Sequence, residues 1–130
     1  METTEEFIKR KNEQFINERD NKKPIGFKHI TRTGKFYFLR EDWTFLIQSD
    51  YPQKVFVLER LRFVKSEANS EFTKNEGAIE YRIGYFIVGK IGNKQNKWTW
   101  GQYCPIIPAK DFQELLRLAK ENGVILDALN

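Results

Sequence analysis

A run of basic and aromatic residues in the C-terminal half is the part of this sequence best suited to bind a ligand. Lys90, Lys94 and Lys97 surround a segment rich in glycine and asparagine, and Trp98 and Trp100 follow directly. Lysine neutralises phosphate, and an indole ring offers a flat face on which a nucleobase stacks, worth roughly 1 to 3 kcal/mol per base. The combination is typical of proteins that bind single-stranded nucleic acid.

Charge is distributed unevenly along the chain. The formal net charge is +4, yet residues 21–40 and residues 81–110 contain no acid and several lysines and arginines. This asymmetry predicts a surface that attracts anions. The same lysines would also keep turns soluble without any ligand, and the sequence leaves both interpretations open. The candidate nucleic-acid-binding residues are Lys28, Arg32, Lys35, Arg82, Lys90, Lys94, Lys97, Trp98, Trp100 and Tyr103.

Residues suited to catalysis are few. His29 is the single histidine, which excludes histidine-rich metal sites, and Cys104 is the single cysteine, which excludes an internal disulfide. Cys104 is expected to pack as a small apolar side chain, with a thiol nucleophile assisted by His29 as the alternative. The chain is therefore expected to carry no catalytic residue, bound metal or cofactor.

A small metal-dependent nuclease is the remaining enzyme hypothesis. Such an enzyme needs carboxylates clustered on adjacent strands beside a lysine. The nearest arrangement in this sequence is Asp50, Glu59 and Glu80, with Arg82 in the place of the lysine. Since the carboxylates do not form a dense cluster, this hypothesis ranks third among the functions considered.

Strands and a helix must position the aromatic residues. Residues 79–88 alternate between two faces, which predicts a strand, and Trp98, Trp100, Gln102 and Cys104 share one face of a returning strand. In residues 108–122 the period becomes helical, with an apolar stripe formed by Phe112, Leu115, Leu116 and Ala119. The two tryptophans are either a core wall beneath this helix or an exposed stacking platform.

The first half of the chain gives weaker signals. Residues 3–20 predict a helix with a capping box at Thr3 and Glu6, but its few apolar residues indicate a loosely attached surface helix. Residues 36–39 and 43–47 predict two strands around Glu41 and Asp42. Residues 55–64 predict a strand whose alternation slips, which a β-bulge near Glu59 would explain. Residues 66–77 are polar and predict a mobile loop.

Together these elements predict one α+β domain spanning residues 1–130. It comprises an N-terminal helix at residues 1–20, a sheet at residues 24–104 and a C-terminal helix at residues 108–122. The sheet is expected to be twisted and antiparallel, with about five strands, the C-terminal helix on one face and the N-terminal helix at its edge. Because no signal peptide or membrane span is recognised, a soluble cytoplasmic protein is expected.

Several antiparallel strands followed by one helix resemble the element order of the Whirly-like and transcriptional-coactivator-like single-strand-binding domains. The resemblance covers residues 36–122 and concerns element order alone. In those families a curved sheet grips nucleic acid, which implies the same partner here. The leading hypothesis is a non-enzymatic nucleic-acid-binding protein. The alternative is a protein-interaction module, or a small inhibitor or adaptor, because aromatic and arginine side chains also anchor protein interfaces.

Overall fold

A computed structural model describes residues 1–28, 34–67 and 75–127, and this part of the chain forms two helices and one five-stranded antiparallel sheet. The strands pair in chain order, so each is joined to its neighbour along the sequence. The elements are α1 (Thr4–Asp20), β1 (Ile25–Lys28), β2 (Lys35–Gln48), β3 (Tyr51–Ser66), β4 (Ile79–Val88), a 3₁₀ turn (Gly92–Lys94), β5 (Trp98–Trp100) and α2 (Ala109–Glu121).

The sheet is buried on both faces, with one helix on each. The face under α1, the inner face, carries a cluster formed by Phe7, Phe15, Val55, Val57 and Phe86. The face under α2, the outer face, carries a cluster formed by Phe56, Leu58, Tyr85, Leu115, Ala119 and Val124. Because successive side chains of a strand point to opposite faces, β3 must supply apolar residues to both clusters.

The expected α+β fold is confirmed, but α1 lies across the inner face and not at the sheet edge. Its predicted capping box is present, since the Glu6 amide donates to Thr3 Oγ1 at 3.1 Å and the Thr3 amide donates to Glu6 Oε1 at 2.9 Å. Phe7 and Phe15 are both buried. Two large rings, two turns apart on one side of the helix, are enough to dock it although the apolar stripe is sparse.

A single long strand, β2, replaces the two strands predicted around Glu41 and Asp42. The pairing with β3 shifts between Arg40, opposite Leu61, and Asp42, opposite Arg60, which leaves Glu41 as an extra residue. Such a β-bulge changes which side of the sheet the following residues face. The residues predicted to separate two strands therefore form a bulge inside one strand, not a loop between two.

The bulge predicted in β3 near Glu59 is absent from that strand. β3 pairs with β4 in unbroken register from Lys54 to Arg62. Apolar residues occur at both odd and even positions of β3 because helices cover both faces of the sheet, as in strands that are buried on each side. The irregularity lies in β2, directly opposite the predicted position.

Most of the predicted apolar stripe of α2 is confirmed. Leu115 and Ala119 are fully buried, whereas Phe112 remains 41% exposed. Asp111 takes an inward position instead, where its carboxylate accepts hydrogen bonds from the Ser49 amide at 2.9 Å and from Ser49 Oγ at 3.1 Å. The helix start is thus tied to the turn between β2 and β3 by a polar contact that the periodicity does not reveal.

Other predictions concern the ends of elements. β5 ends at Trp100, so Gln102 and Cys104 lie outside the strand, and Cys104 is exposed rather than packed. Val124, which follows α2, is buried in the outer cluster. The predicted loop at residues 66–77 falls largely on residues 68–74, outside the described residues. No helix in the described part of the chain is long and apolar enough to span a membrane.

Replacing Leu115 with alanine is expected to lower the free energy of unfolding by about 2 to 5 kcal/mol, as buried leucine-to-alanine changes do. Lys110→Ala is the control, because this residue is exposed on the same helix. Urea denaturation followed by circular dichroism measures both. Equal and small losses would mean that α2 is not anchored by its buried side chains.

Candidate functional site

The sheet curls so that β1 approaches β4 and β5 across the inner face. The guanidinium carbon of Arg82 lies 4.5 Å from the ring centroid of Phe27 and 4.6 Å from that of Trp100. Arg82 thus sits between an aromatic ring of β1 and one of β5. Beside it, between these strands and α1, is an open groove of about 330 Å³, called the inner groove. Its lining includes Lys11, Gln14, Phe27, Arg40, Arg82 and Trp100.

A buried carboxylate organises the two arginines of the groove. Glu59 is 0% exposed and accepts hydrogen bonds from Arg82 Nη2 at 3.0 Å and 2.9 Å, one to each carboxylate oxygen. Arg40 Nε lies 3.4 Å from Glu59 Oε2, and Arg40 Nη1 donates to Glu18 Oε1 at 3.3 Å. With Lys11, the site holds three cations and two carboxylates, which leaves it one positive charge.

Both arginines retain unused hydrogen-bonding capacity. The Nε atoms of Arg40 and Arg82 are buried and make no hydrogen bond within the described residues, although Arg40 Nε lies at ion-pair distance from Glu59. A buried donor without an acceptor costs roughly 1 to 3 kcal/mol. Because both Nε atoms are shielded from solvent, a ligand in the inner groove would meet the guanidinium groups of these arginines and not the two Nε atoms.

Lys11 adds a partly desolvated amine to the same groove. Burial, followed by repulsion from Arg10, lowers the pKa of Lys11 below its usual value. Its ammonium group lies 5.1 Å from the ring centroid of Phe86 and donates to Gln14 Oε1 at 3.1 Å. A bound anion would offset the cost of burying this charge, because an adjacent opposite charge favours the protonated amine.

The two tryptophans of β5 have different environments. Trp98 stacks on Phe7 of α1, with ring centroids 4.4 Å apart, and donates from Nε1 to the Glu2 carbonyl at 3.1 Å. Trp98 therefore belongs to the core, beneath α1 and not beneath the C-terminal helix. Trp100 is 36% exposed and lies over Gly84, where a Cβ would collide with its ring. Trp100 is the tryptophan available to a ligand.

The structure brings Arg82 and Trp100 together, but not the other predicted site residues. Tyr103 is 79% exposed, beyond the end of β5. Arg32 lies outside the described residues. Lys28 and Lys35 form an exposed cross-strand pair between β1 and β2, and alternation places them on the side opposite Phe27.

The predicted lysines form two separate groups. Lys90, Lys94 and Lys97 are exposed in the connection between β4 and β5, where Lys90 Nζ donates to Gln53 Oε1 at 2.8 Å. That connection lies near the first residues of β3, whereas Lys35 lies near the last. The length of β3 between these points is roughly 40 Å at about 3.3 Å per residue. The two groups therefore flank the sheet and do not form one patch.

Arg40 was not among the predicted binding residues, and Glu59 was considered only as a carboxylate for a metal site. Each lies on the inner face two residues from a buried apolar residue of the same strand, Phe38 for Arg40 and Val57 for Glu59. Charged residues are rarely buried unless they are paired. A charged residue on the same face of a strand as apolar residues that must be buried was thus the sequence pattern that could have identified these two residues.

Two of the carboxylates considered for a metal site have other partners. Asp50 Oδ1 accepts a hydrogen bond from Gln48 Nε2 at 2.6 Å, and Glu59 is bound to two arginines. Within residues 1–28, 34–67 and 75–127 there is no group of three or more histidine, cysteine, aspartate or glutamate side chains that could hold a metal ion.

Comparison with known proteins identifies no relative: no family model, no curated protein and no solved structure matches the chain. Function must therefore be inferred from the chemistry of the inner groove itself.

Proposed function

We propose that this chain is a non-enzymatic protein that binds single-stranded nucleic acid, with one nucleotide in the inner groove. The observation that carries the proposal is the Arg82 guanidinium held between Phe27 and Trp100 in an open groove of net positive charge. Single-strand binders combine cationic grooves with aromatic rings in this way. A base stacks on Trp100, and the phosphate lies near Lys11 and the arginines.

The dimensions of the inner groove favour a single strand over a duplex. Its volume of about 330 Å³ is at the small end of ligand sites, which suits one nucleotide. A base can reach the Trp100 ring only when it is unstacked and unpaired, as in single strands. Double-stranded nucleic acid would contact only the exposed lysines outside the inner groove, and it would therefore bind more weakly than a single strand.

The lysines of the β4–β5 connection extend the site along the phosphate backbone. Lys28 and Lys35 lie at the other end of the sheet and on the side opposite Phe27, so they would meet only more distant phosphates. Exposed lysines contact phosphates without reading sequence, and each contact releases counterions. Affinity from these residues is therefore expected to fall with increasing salt, whereas the stacking contribution is not.

Replacing Trp100 with alanine is expected to weaken binding of a labelled single-stranded oligonucleotide by about 1 to 3 kcal/mol, the worth of one stacked base. Fluorescence anisotropy at low salt measures the affinity. Phe112→Ala is the matched control, because Phe112 has a similarly exposed ring on α2, over the outer face. This control is expected to bind as the unmodified protein does.

A second comparison separates backbone contacts from stacking. Lys90, Lys94 and Lys97 are replaced together by glutamine, and affinity is measured as a function of salt. The triple variant is expected to keep its stability and to show a flatter salt dependence for every sequence tested. If the unmodified protein binds neither single- nor double-stranded oligonucleotides at micromolar concentration, the proposal is wrong.

A further inference from the structure

We infer that the free edge of β2 is a docking site for an extended, uncharged peptide segment of a protein partner. β1 pairs with residues 35–38 of β2 alone, so residues 42–48 have β3 on one side and no described strand on the other. An unpaired strand edge presents backbone donors and acceptors that another strand can complete. This surface is separate from the inner groove.

The hydrogen bond of one amide shows which backbone groups face outward. The Trp43 amide donates to its neighbour's side chain, Asp42 Oδ1, at 2.9 Å. Residues of an antiparallel strand alternate between those bonded to a given neighbour and those turned away from it. Phe45 and Ile47 share the phase of Trp43, so their N–H and C=O groups also face away from β3.

Both helices border this edge and leave a second groove between them, the edge groove, of about 290 Å³. It is lined by Ile8, Asn12, Trp43, Phe45, Leu118 and Asn122, together with Thr44. None of these lining residues carries a charge. The lining itself offers no counter-charge to phosphate, although the Arg19 guanidinium lies 5.2 Å from the ring centroid of Trp43. An apolar or neutral occupant suits this lining.

An added strand would lie between the two helices, because Ile8 and Asn12 of α1 and Leu118 and Asn122 of α2 line the edge groove. A second copy of the chain carries two helices beside the same edge, so a single peptide strand is the smaller occupant. Two side-chain amides lie beside this edge. Asn12 Oδ1 accepts a hydrogen bond from Trp43 Nε1 at 2.7 Å, and Asn122 Nδ2 donates to Thr44 Oγ1 at 3.3 Å. Each of these amides keeps further donors or acceptors.

Asp42 acts as a built-in cap of this edge. Its carboxylate occupies the Trp43 N–H that an incoming strand would otherwise use. Sheet proteins commonly protect exposed edges with charged side chains, and residues 43–47 themselves contain neither charge nor proline. Peptide binding must displace the cap, so removing it should strengthen binding.

The test uses a displayed library of random 12-residue peptides, selected on the full chain. Enriched peptides are expected to show apolar residues at alternate positions, the pattern of a strand. Their affinity for Phe45→Pro should fall at least tenfold relative to Phe45→Val, because both variants lack the ring but only proline lacks the outward N–H. Asp42→Ala should bind them about two- to tenfold more tightly, the effect of one freed hydrogen bond.

Thermal melts first establish that Phe45→Pro folds as Phe45→Val does. If Phe45→Pro does not fold, the test rests on Asp42→Ala. Unchanged or weaker affinity of Asp42→Ala for the enriched peptides, compared with the unmodified protein, overturns the inference. The inference also fails if no peptide is enriched, if the enriched peptides show helical spacing, or if Phe45→Pro and Phe45→Val bind them equally. Oligonucleotide binding in the inner groove should be unaffected by Asp42→Ala.

Discussion

Replacing Glu59 with glutamine is expected to lower the free energy of unfolding by about 3 to 5 kcal/mol, the cost of breaking a buried ion pair from one side. Glutamine has nearly the same shape but no charge. The guanidinium groups of Arg40 and Arg82 would then share the inner face without the carboxylate that lies between them. Urea denaturation at neutral pH measures the loss.

Glu114→Gln is the control for this experiment. Glu114 also pairs with an arginine, Arg117, but at the surface of α2, where water screens the pair. Its replacement is expected to leave stability nearly unchanged. If Glu59→Gln behaves like this control, water reaches the two arginines well enough to replace the carboxylate, and the inner groove is more open than its burial indicates.

Replacing Phe7 with alanine is expected to cost about 3 to 5 kcal/mol, as buried phenylalanine-to-alanine changes do. Phe7 is fully buried, lies edge-on to Phe86 with ring centroids 5.0 Å apart, and stacks on Trp98. Its loss would remove the contact that fixes the first turns of α1 on the sheet. Denaturant melts measure the free energy, and tryptophan fluorescence reports the changed environment of Trp98.

Ile16→Ala on the same helix supplies the comparison, because Ile16 is an exposed apolar residue. This variant is expected to lose far less stability. Similar, small losses for both variants would restore the interpretation of α1 as a loosely attached surface helix. The inner groove would then lose one of its walls, since Lys11 and Gln14 belong to α1.

The elements of this fold are largely predictable from periodicity, because alternation and helical spacing are local properties. The docking of α1 is not, since it depends on two phenylalanines, Phe7 and Phe15, meeting rings contributed by distant strands. The bulge at Glu41 is visible in the sequence as a change of phase. Without the β3 partner, however, the same change of phase is equally consistent with a loop.

The candidate site is only partly predictable. Arg82 and Trp100 could be predicted as binding residues from their residue types, and the two side chains are in contact. Arg40 and Glu59 are marked only by a charge at an inward strand position, a signal that depends on knowing which face of the strand is buried. Phe27 carries no signal, because its contact with Arg82 exists only once the sheet has curled. Curvature is a property of the whole sheet and not of any one strand.

The glycine beneath Trp100 has a consequence for binding energetics. The Trp100 ring fills the space over Gly84 on the inner face, while on the outer face the Tyr85 ring fills the space over Gly101. A one-residue slip of β5 would drive both rings into side chains or backbone, so this three-residue strand is held in register from both sides. Trp100 therefore loses its rotational freedom during folding. A ligand that stacks on it meets a preorganised surface and does not bear that entropic cost again.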